Sequence, residues 1–397
     1  GQDSLARFLP AWQGVGADAG GPDRTFEVIA QLQGVPIPAS VLERDMLPAR
    51  VRDYTPRYLD ELLAAGEVMW VGAGPLGRDD GKVALHLRGS VLSRVAPVGD
   101  PPEGEEHDRI REVLAARGAC FFRELGGATD AATLEALWDL VWAGEVTNDT
   151  FAAVRATQGA KRRSGSAAKR GAGGRPRVGN LAVLGPPRGQ GRWSLVERGG
   201  VSPTQAAAAQ AGALLERHGV LTREAARGEG VAGGFAGVYP VLRAMEESGR
   251  VRRGYFVSGL GGAQFALPGA VDRLRSSRGA AGTGEPPAAI VLATTDPANA
   301  YGVALPWPVT GPRRVAGAYV VLLDGLATLY VEKGGKALVA LRPYDGGWEA
   351  QAVAAVTTLL TDGRLSRLNV ERSDPELAPH LAAAGFVPTP KGLVRYA

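Results

Sequence analysis

One hydrophobic pattern recurs three times along the chain. It appears as "PRYLDELLAAGEVMWVG" (residues 56–72), "LEALWDLVWAGEVTNDTF" (residues 134–151) and "VYPVLRAMEESGRVRRGYF" (residues 238–256). Each copy places apolar residues at helical spacing, then Gly-Glu-Val or Gly-Arg-Val, then a short apolar or aromatic stretch. In the third copy Phe235, Val238, Leu242 and Met245 form one apolar stripe. Gly66, Gly144 and Gly249 each follow the last helical turn, where a left-handed residue ends a helix without steric cost. A valine then opens a strand.

Shorter helical segments precede each long helix. They are residues 26–34 and 38–51 in the first copy, 107–118 and 121–127 in the second, and 206–218 and 221–227 in the third. Three helices followed by a two-stranded hairpin describe a winged helix. In the third copy, residues 255–258 and 264–267 are expected to form the wing strands, with a glycine-rich turn between them that supplies positive φ. The first copy has a matching wing, "MWVGAG" and "VALHLR" around "PLGRDDGK". The second copy's wing reads as degenerate, because "TNDTFAAVRA" runs into a linker.

After residue 276 the pattern changes from a period near 3.6 to strand-like runs, residues 288–294, 317–325 and 327–342. Asp324-Gly325 and Gly334-Gly335 are hairpin-turn pairs between them. Residues 348–363 and 375–385 read as helices, and "LVRYA" as a last strand. The predicted class is therefore α+β: tandem winged-helix domains followed by a small antiparallel β-barrel or sheet with helices. The expected boundaries are a helical segment of a preceding domain (residues 1–25), winged helices at 26–95, 101–156 and 191–276, a basic linker at 157–190, and a barrel-like module at 286–397. The chain begins Gly-Gln-Asp and not with Met, as expected of a piece of a longer protein or of a residual tag.

Charge changes this picture in one place. Residues 160–192 hold nine Lys and Arg and no Asp or Glu. Removing those nine from the formal +4 of the 397 residues leaves −5 for the remainder. The basicity is local, and "GAKRRSGSAAKRGAGGRPR" lacks the apolar residues needed to fold. Its cations Lys161, Arg162, Arg163, Lys169 and Arg170 are candidates for neutralising phosphates.

Specific catalytic chemistry is sparse. There is no phosphate-binding Gly-x-x-x-x-Gly-Lys-Ser/Thr loop, and "RSGSAA" in the linker is low complexity, not a nucleophile elbow. Cys120, the one cysteine, sits beside two phenylalanines and reads as a buried thiol. The four histidines lie far apart, with no zinc spacing, so no metal site is expected. No apolar run is long enough for a membrane span and no signal peptide is visible, so a cytoplasmic location is the default.

Winged helices read duplex DNA with the long helix and the wing, and they also serve as protein-interaction modules. For DNA the third copy offers Tyr239, Arg243, Arg252, Arg253 and Gln264. "TTDPANAYG" places Asp296 in a turn before an aromatic residue. A carboxylate there could serve base excision by activating water once a base is flipped out, or it could cap an Asx-turn. Asp324, Asp345 and Asp374 also neighbour turn residues.

Four stretches, "DSLARFLPAWQGV", "RVRDYTPRYLDELLAAGEVMWVGAG", "GGFAGVYPVLRAMEESGRVRRGYFVSGLGGAQFALPGAVDRLR" and "TDPANAYG", resemble the C-terminal region of the long bacterial Lhr (large helicase-related) proteins. The resemblance implies a parent superfamily 2 motor moving 3′ to 5′ on single-stranded DNA, with ATP and Mg²⁺ in that motor and no cofactor in this chain. It also implies tandem winged helices similar to DNA glycosylases of alkylated bases, self-association, and single-stranded or tailed duplex DNA as partner. The full-length protein would then be a nucleoid-associated repair helicase. Two alternatives accompany that reading: a uracil-DNA glycosylase domain, and a purely structural oligomerisation scaffold.

Overall fold

The computed structural model describes residues 1–95, 100–126, 129–164, 186–277 and 289–397, with side chains omitted for 159–164. The chain divides into two compact units. The larger comprises residues 1–19, 41–52 and 207–397, and the smaller residues 20–40 and 53–206. The first copy of the repeat therefore contributes chain to both.

The three long helices are Pro56–Ala64, Asp130–Trp142 and Gly234–Glu247. Their starts follow local chemistry. Pro56 occupies the first turn, where its missing N–H costs least, and the Thr129 hydroxyl accepts from Ala132 N–H. Their ends are alike. Gly66, Gly144 and Gly249 have φ of +70°, +77° and +75°. In each case the glycine N–H donates to the carbonyl three residues back, and the next N–H donates to the one five back: Glu67 to Leu62, Glu145 to Leu140, Arg250 to Met245. This is the Schellman arrangement. Val68, Val146 and Val251 follow and are buried.

Each repeat closes a three-stranded antiparallel sheet of the same order, with the return strand of the wing in the middle. In the first, Gly81–Leu87 lies between Ile37–Pro38 and Val68–Pro75. In the third, Gln264–Ala266 lies between Val220–Leu221 and Arg252–Gly254. In the second, Arg192–Leu195 lies between Cys120–Phe121 and Val146–Asn148. The second wing is therefore not degenerate. Its return strand stands beyond the basic segment, and Trp193 at its centre is fully buried, edge-on to Trp138 at 5.8 Å.

The linker is also shorter than its composition predicts. The helix Ala152–Ser164 runs into it, with Val154 and Thr157 buried. At its far end the Trp138 indole donates to Arg188 O and Asn148 donates to Gln190 O. Residues 165–185 lie outside the described residues, and with them Lys169 and Arg170. Cys120 is buried, as expected.

The barrel expected at the C-terminus does not form. Ala289–Ala293, Tyr319–Leu323, Leu326–Val331 and Leu338–Ala340 make an antiparallel meander whose outer strands do not pair with each other. Arg367–Val370, Gly392–Tyr396 and Val387–Thr389 make a separate sheet. One parallel bridge, Ala337 to Arg372, hands the edge of the first sheet to the second instead of closing it. The turn between the second and third meander strands is the expected one, with Asp324 and Gly325 at φ +49° and +74°.

Candidate nucleic-acid interface and buried ion pairs

In the third repeat the stripe read from sequence turns inward. Val238, Leu242 and Met245 are buried, each contributing about 1.5–3 kcal/mol by leaving water. Phe235 and Tyr239 pack on Phe265 at 6.2 and 5.8 Å. Tyr239 is thus half committed to the core.

Arg243 on the long helix, Arg250 after it, and Arg252 and Arg253 on the outgoing wing strand are all exposed. Arg243 pairs with Glu247 and Arg253 with Glu246, both at 3.1 Å. The Arg253 guanidinium is held above its usual pKa by its hydrogen bond to Tyr239, then by Glu246. Arg250 and Arg252 have no carboxylate within ion-pair distance among the described residues. Such exposed pairs are worth little, so a phosphate can compete for Arg243 and Arg253.

Gln264 lies elsewhere. It is fully buried; its Oε1 accepts from the N–H groups of Phe256 and Val257, and its Nε2 donates to Val257 O. It substitutes for a ladder partner just after Gly254, so the outgoing strand stops there and not at Ser258. Gln264 holds the wing and does not face outward. Tyr255, at that break, is 83% exposed, although the spacing alone treated it as a wing-strand residue. Of the linker candidates, Lys161, Arg162 and Arg163 fall in the helix Ala152–Ser164.

Asp296 is 1% exposed, and its carboxylate is fully engaged. Arg50, itself 0% exposed, donates Nη2 to Oδ1 at 2.7 Å and Nη1 to Oδ2 at 3.0 Å. Oδ1 also accepts from Ala298 N–H at 2.7 Å, the Asx-turn geometry. Arg50 reaches Met46 O and Gln13 Oε1 as well. Arg314 donates to the carbonyls of Asp296, Asn299 and Tyr301, and burial pushes its pKa down to about 10. The network joins residues 1–19, 41–52 and the C-terminal module inside the larger unit. A carboxylate so neutralised and so buried is poorly placed to activate water.

A second buried cluster lies in the same unit. Glu229 meets Arg217 and lies 2.5 Å from His218 Nε2. Burial alone would raise its pKa; Arg217 and His218 outweigh that and bring it down to about 2. Its contribution to stability is therefore present above the ordinary value of 4.5 and is lost as pH falls from there toward 2. We expect the denaturant midpoint of the larger unit to drop between pH 5 and pH 3, and Glu229→Gln to flatten that drop. A midpoint falling equally in both proteins would refute the assignment.

Among the described residues no group of three His, Cys, Asp or Glu side chains is placed to hold a metal ion, and no helix is long and apolar enough to cross a membrane.

Residues 1–88 and residues 200–286 each match the family described as "Large helicase-related protein, winged-helix domain". A Mycolicibacterium smegmatis protein named "Lhr helicase/ probable uracil glycosylase" is 44% identical over 421 aligned residues, covering 98% of this chain and 28% of that protein. An Escherichia coli protein named "Lhr helicase/uracil glycosylase" is 38% identical over 405 residues, covering 94% of this chain and 26% of that protein. The chain thus spans about a quarter of the length of these relatives. The Streptomyces sahachiroi DNA glycosylase AlkZ has a similar fold, with a TM-score of 0.52 at 16% identity, over 94% of this chain and 99% of that one.

Proposed function

From the premise that the chain carries winged-helix domains of the large helicase-related protein family, we propose that it is the DNA-gripping and self-associating region of an ATP-driven repair helicase. The observation that carries this reading is that Arg243, Arg250, Arg252, Arg253 and Tyr255 are all exposed on or beside the long helix and the outgoing wing strand of the third repeat. These are the elements a winged helix turns toward a duplex. The basic segment around Lys161 to Arg170 adds sequence-independent attraction to the backbone. ATP and Mg²⁺ belong, in this reading, to a motor on the rest of the polypeptide. Partner DNA is single-stranded or a tailed duplex, and the compartment is the cytoplasm.

The test is a salt titration of the purified chain with a tailed duplex, read by fluorescence anisotropy. A linear fall of log affinity with log salt is expected, steeper for the intact chain than for one with Arg250 and Arg252 replaced by glutamine. Absence of binding at low salt would overturn the reading. Light scattering checks self-association; assembly without salt-sensitive DNA binding would favour a scaffold.

Base removal is the alternative, favoured by the AlkZ-like fold and by the names of the relatives. Incubation with a uracil-containing strand, followed by alkali, reads it directly. In that reading Asp296 acts through the fold: Asp296→Asn should lose activity only where it also loses stability.

A further inference from the structure

We infer that the C-terminal module holds a pocket for a single nucleotide, its phosphate on Arg313 and Lys333 and its base against the side chains of Pro312, Val315 and Val339. The inference rests on the DNA-binding reading and deepens it, because it names a place where one unit of the strand is held.

The pocket is a cleft of about 580 Å³ at the place where the meander hands its edge to the second sheet. That volume lies in the range of small-ligand sites, roughly 300–1,000 Å³. Its walls come from the loop before the second meander strand, the end of the third strand, the start of the fourth, and the segment after Val370. Pro312 and Leu338 are buried in it, with Val315 and Val339 on its sides. The Tyr330 hydroxyl accepts from Arg313 N–H and donates to Arg313 O, at 3.4 and 3.3 Å, and so pins the loop to the sheet.

The rim charges decide the ligand. Two carboxylates face the cleft, and each already has a donor: Glu332 takes Arg372 at 2.8 Å, and Asp374 takes the Tyr344 hydroxyl at 2.7 Å. Arg313 and Lys333 are exposed on the same rim and have no carboxylate within ion-pair distance among the described residues. Asp374 keeps its charge beside the neutral Tyr344 hydroxyl, so Arg313 and Lys333 leave the rim with one net positive charge, over a cleft that mixes polar groups with Pro312, Val315 and Val339; this fits a phosphate attached to a flat, weakly polar body. A guanidinium supplies a planar fork for phosphate oxygens and an ammonium a mobile point charge. A nucleotide has that chemistry, whether it comes free or as part of a strand.

The experiment uses the full chain and Arg313→Gln/Lys333→Gln, with equal melting temperatures required of both. One arm measures anisotropy of a 5′-labelled oligothymidylate between about 50 and 200 mM salt. The other measures saturation transfer to thymidine 5′-monophosphate. The double variant should bind the oligonucleotide roughly tenfold more weakly, with a salt slope shallower by about 0.7, the share of the one single-strand phosphate that the two cations hold. The monophosphate signal, present with the original chain, should vanish. Unchanged oligonucleotide affinity together with an unchanged monophosphate signal overturns the pocket and leaves DNA binding standing. A weakened oligonucleotide with no monophosphate signal from either protein also overturns it, because the two cations would then serve the backbone alone. If the original chain binds no oligonucleotide, the DNA-binding reading falls, and the monophosphate arm alone decides the pocket.

Discussion

Arg50→Met is expected to lower the stability of the larger unit by about 3–5 kcal/mol, because it strands a buried carboxylate. Asp296 is 1% exposed, and losing Arg50 would leave its Oδ2 without the donor that now holds it at 3.0 Å. Gln13 Oε1 would lose its donor too. Asp296→Asn should cost less than Arg50→Met, since the amide oxygen can still accept from Ala298 N–H and one Arg50 donor. A paired Arg50→Met/Asp296→Leu replacement should recover much of the loss, because two charges are then spared desolvation. The measurement is urea unfolding followed through Trp12, Trp307 and Trp348, which lie in this unit. A loss below about 1 kcal/mol for Arg50→Met, the range of an exposed pair, would show that the contact is solvated. The experiment also bears on chemistry. If Asp296→Asn left the unfolding curve unchanged and abolished uracil release, the carboxylate would be acting on substrate after all.

The second large effect is expected at Gly72, in the smaller unit. Strand Val68–Pro75 crosses the end of helix Asp130–Trp142 so closely that a Cβ on Gly72 would stand 1.9 Å from the Val141 carbonyl oxygen. The same crossing brings Gly72 O to 2.9 Å from a Cβ placed on Gly144. Around it, Trp70 is fully buried, donates to Thr150 O at 3.1 Å, and meets Phe151 edge-on at 5.9 Å. Gly72→Ala must therefore push the first wing off the second repeat, at a cost of about 1–3 kcal/mol or more. Gly81→Ala is the milder comparison. Its Cβ would meet the Trp142 ring at 2.4 Å, and a side chain yields more readily than a carbonyl. Fluorescence of Trp70, Trp138, Trp142 and Trp193 reports unfolding of this unit. Equal midpoints for Gly72→Ala and the parent would mean that the two repeats do not touch there.

The parts of this fold that were legible in the sequence are those set by neighbours along the chain. Helix stripes, the glycine stops and the first wing all depend on residues within one or two turns of each other. The second wing was not legible, because its partner strands Val146–Asn148 and Arg192–Leu195 are separated by a segment whose composition argues for no structure. Strand periodicity after residue 288 gave the meander but could not tell an open sheet from a closed one, since closure depends on pairing between its outer strands.

The site residues divide the same way. The outward arginines follow from helix and wing geometry. Arg50 and Asp296 are 246 residues apart, so no local pattern connects them, although an arginine inside the apolar run "MLPARV" is a sign of a buried partner. Gln264 had a readable sign too: on a strand with period 2 it shares a face with Ala266, which is fully buried. An amide on the inward face of a strand must satisfy its own groups there, as Gln264 does with Phe256 and Val257.

Arg192–Leu195 sits in one sheet with Cys120–Phe121 and Val146–Asn148. The basic segment is thus anchored at both ends in a single small domain, and it is not a leash running from one domain to the next. A protease that cut it once would produce two pieces still clasped by the Trp193 strand, separable by denaturant and not by dilution.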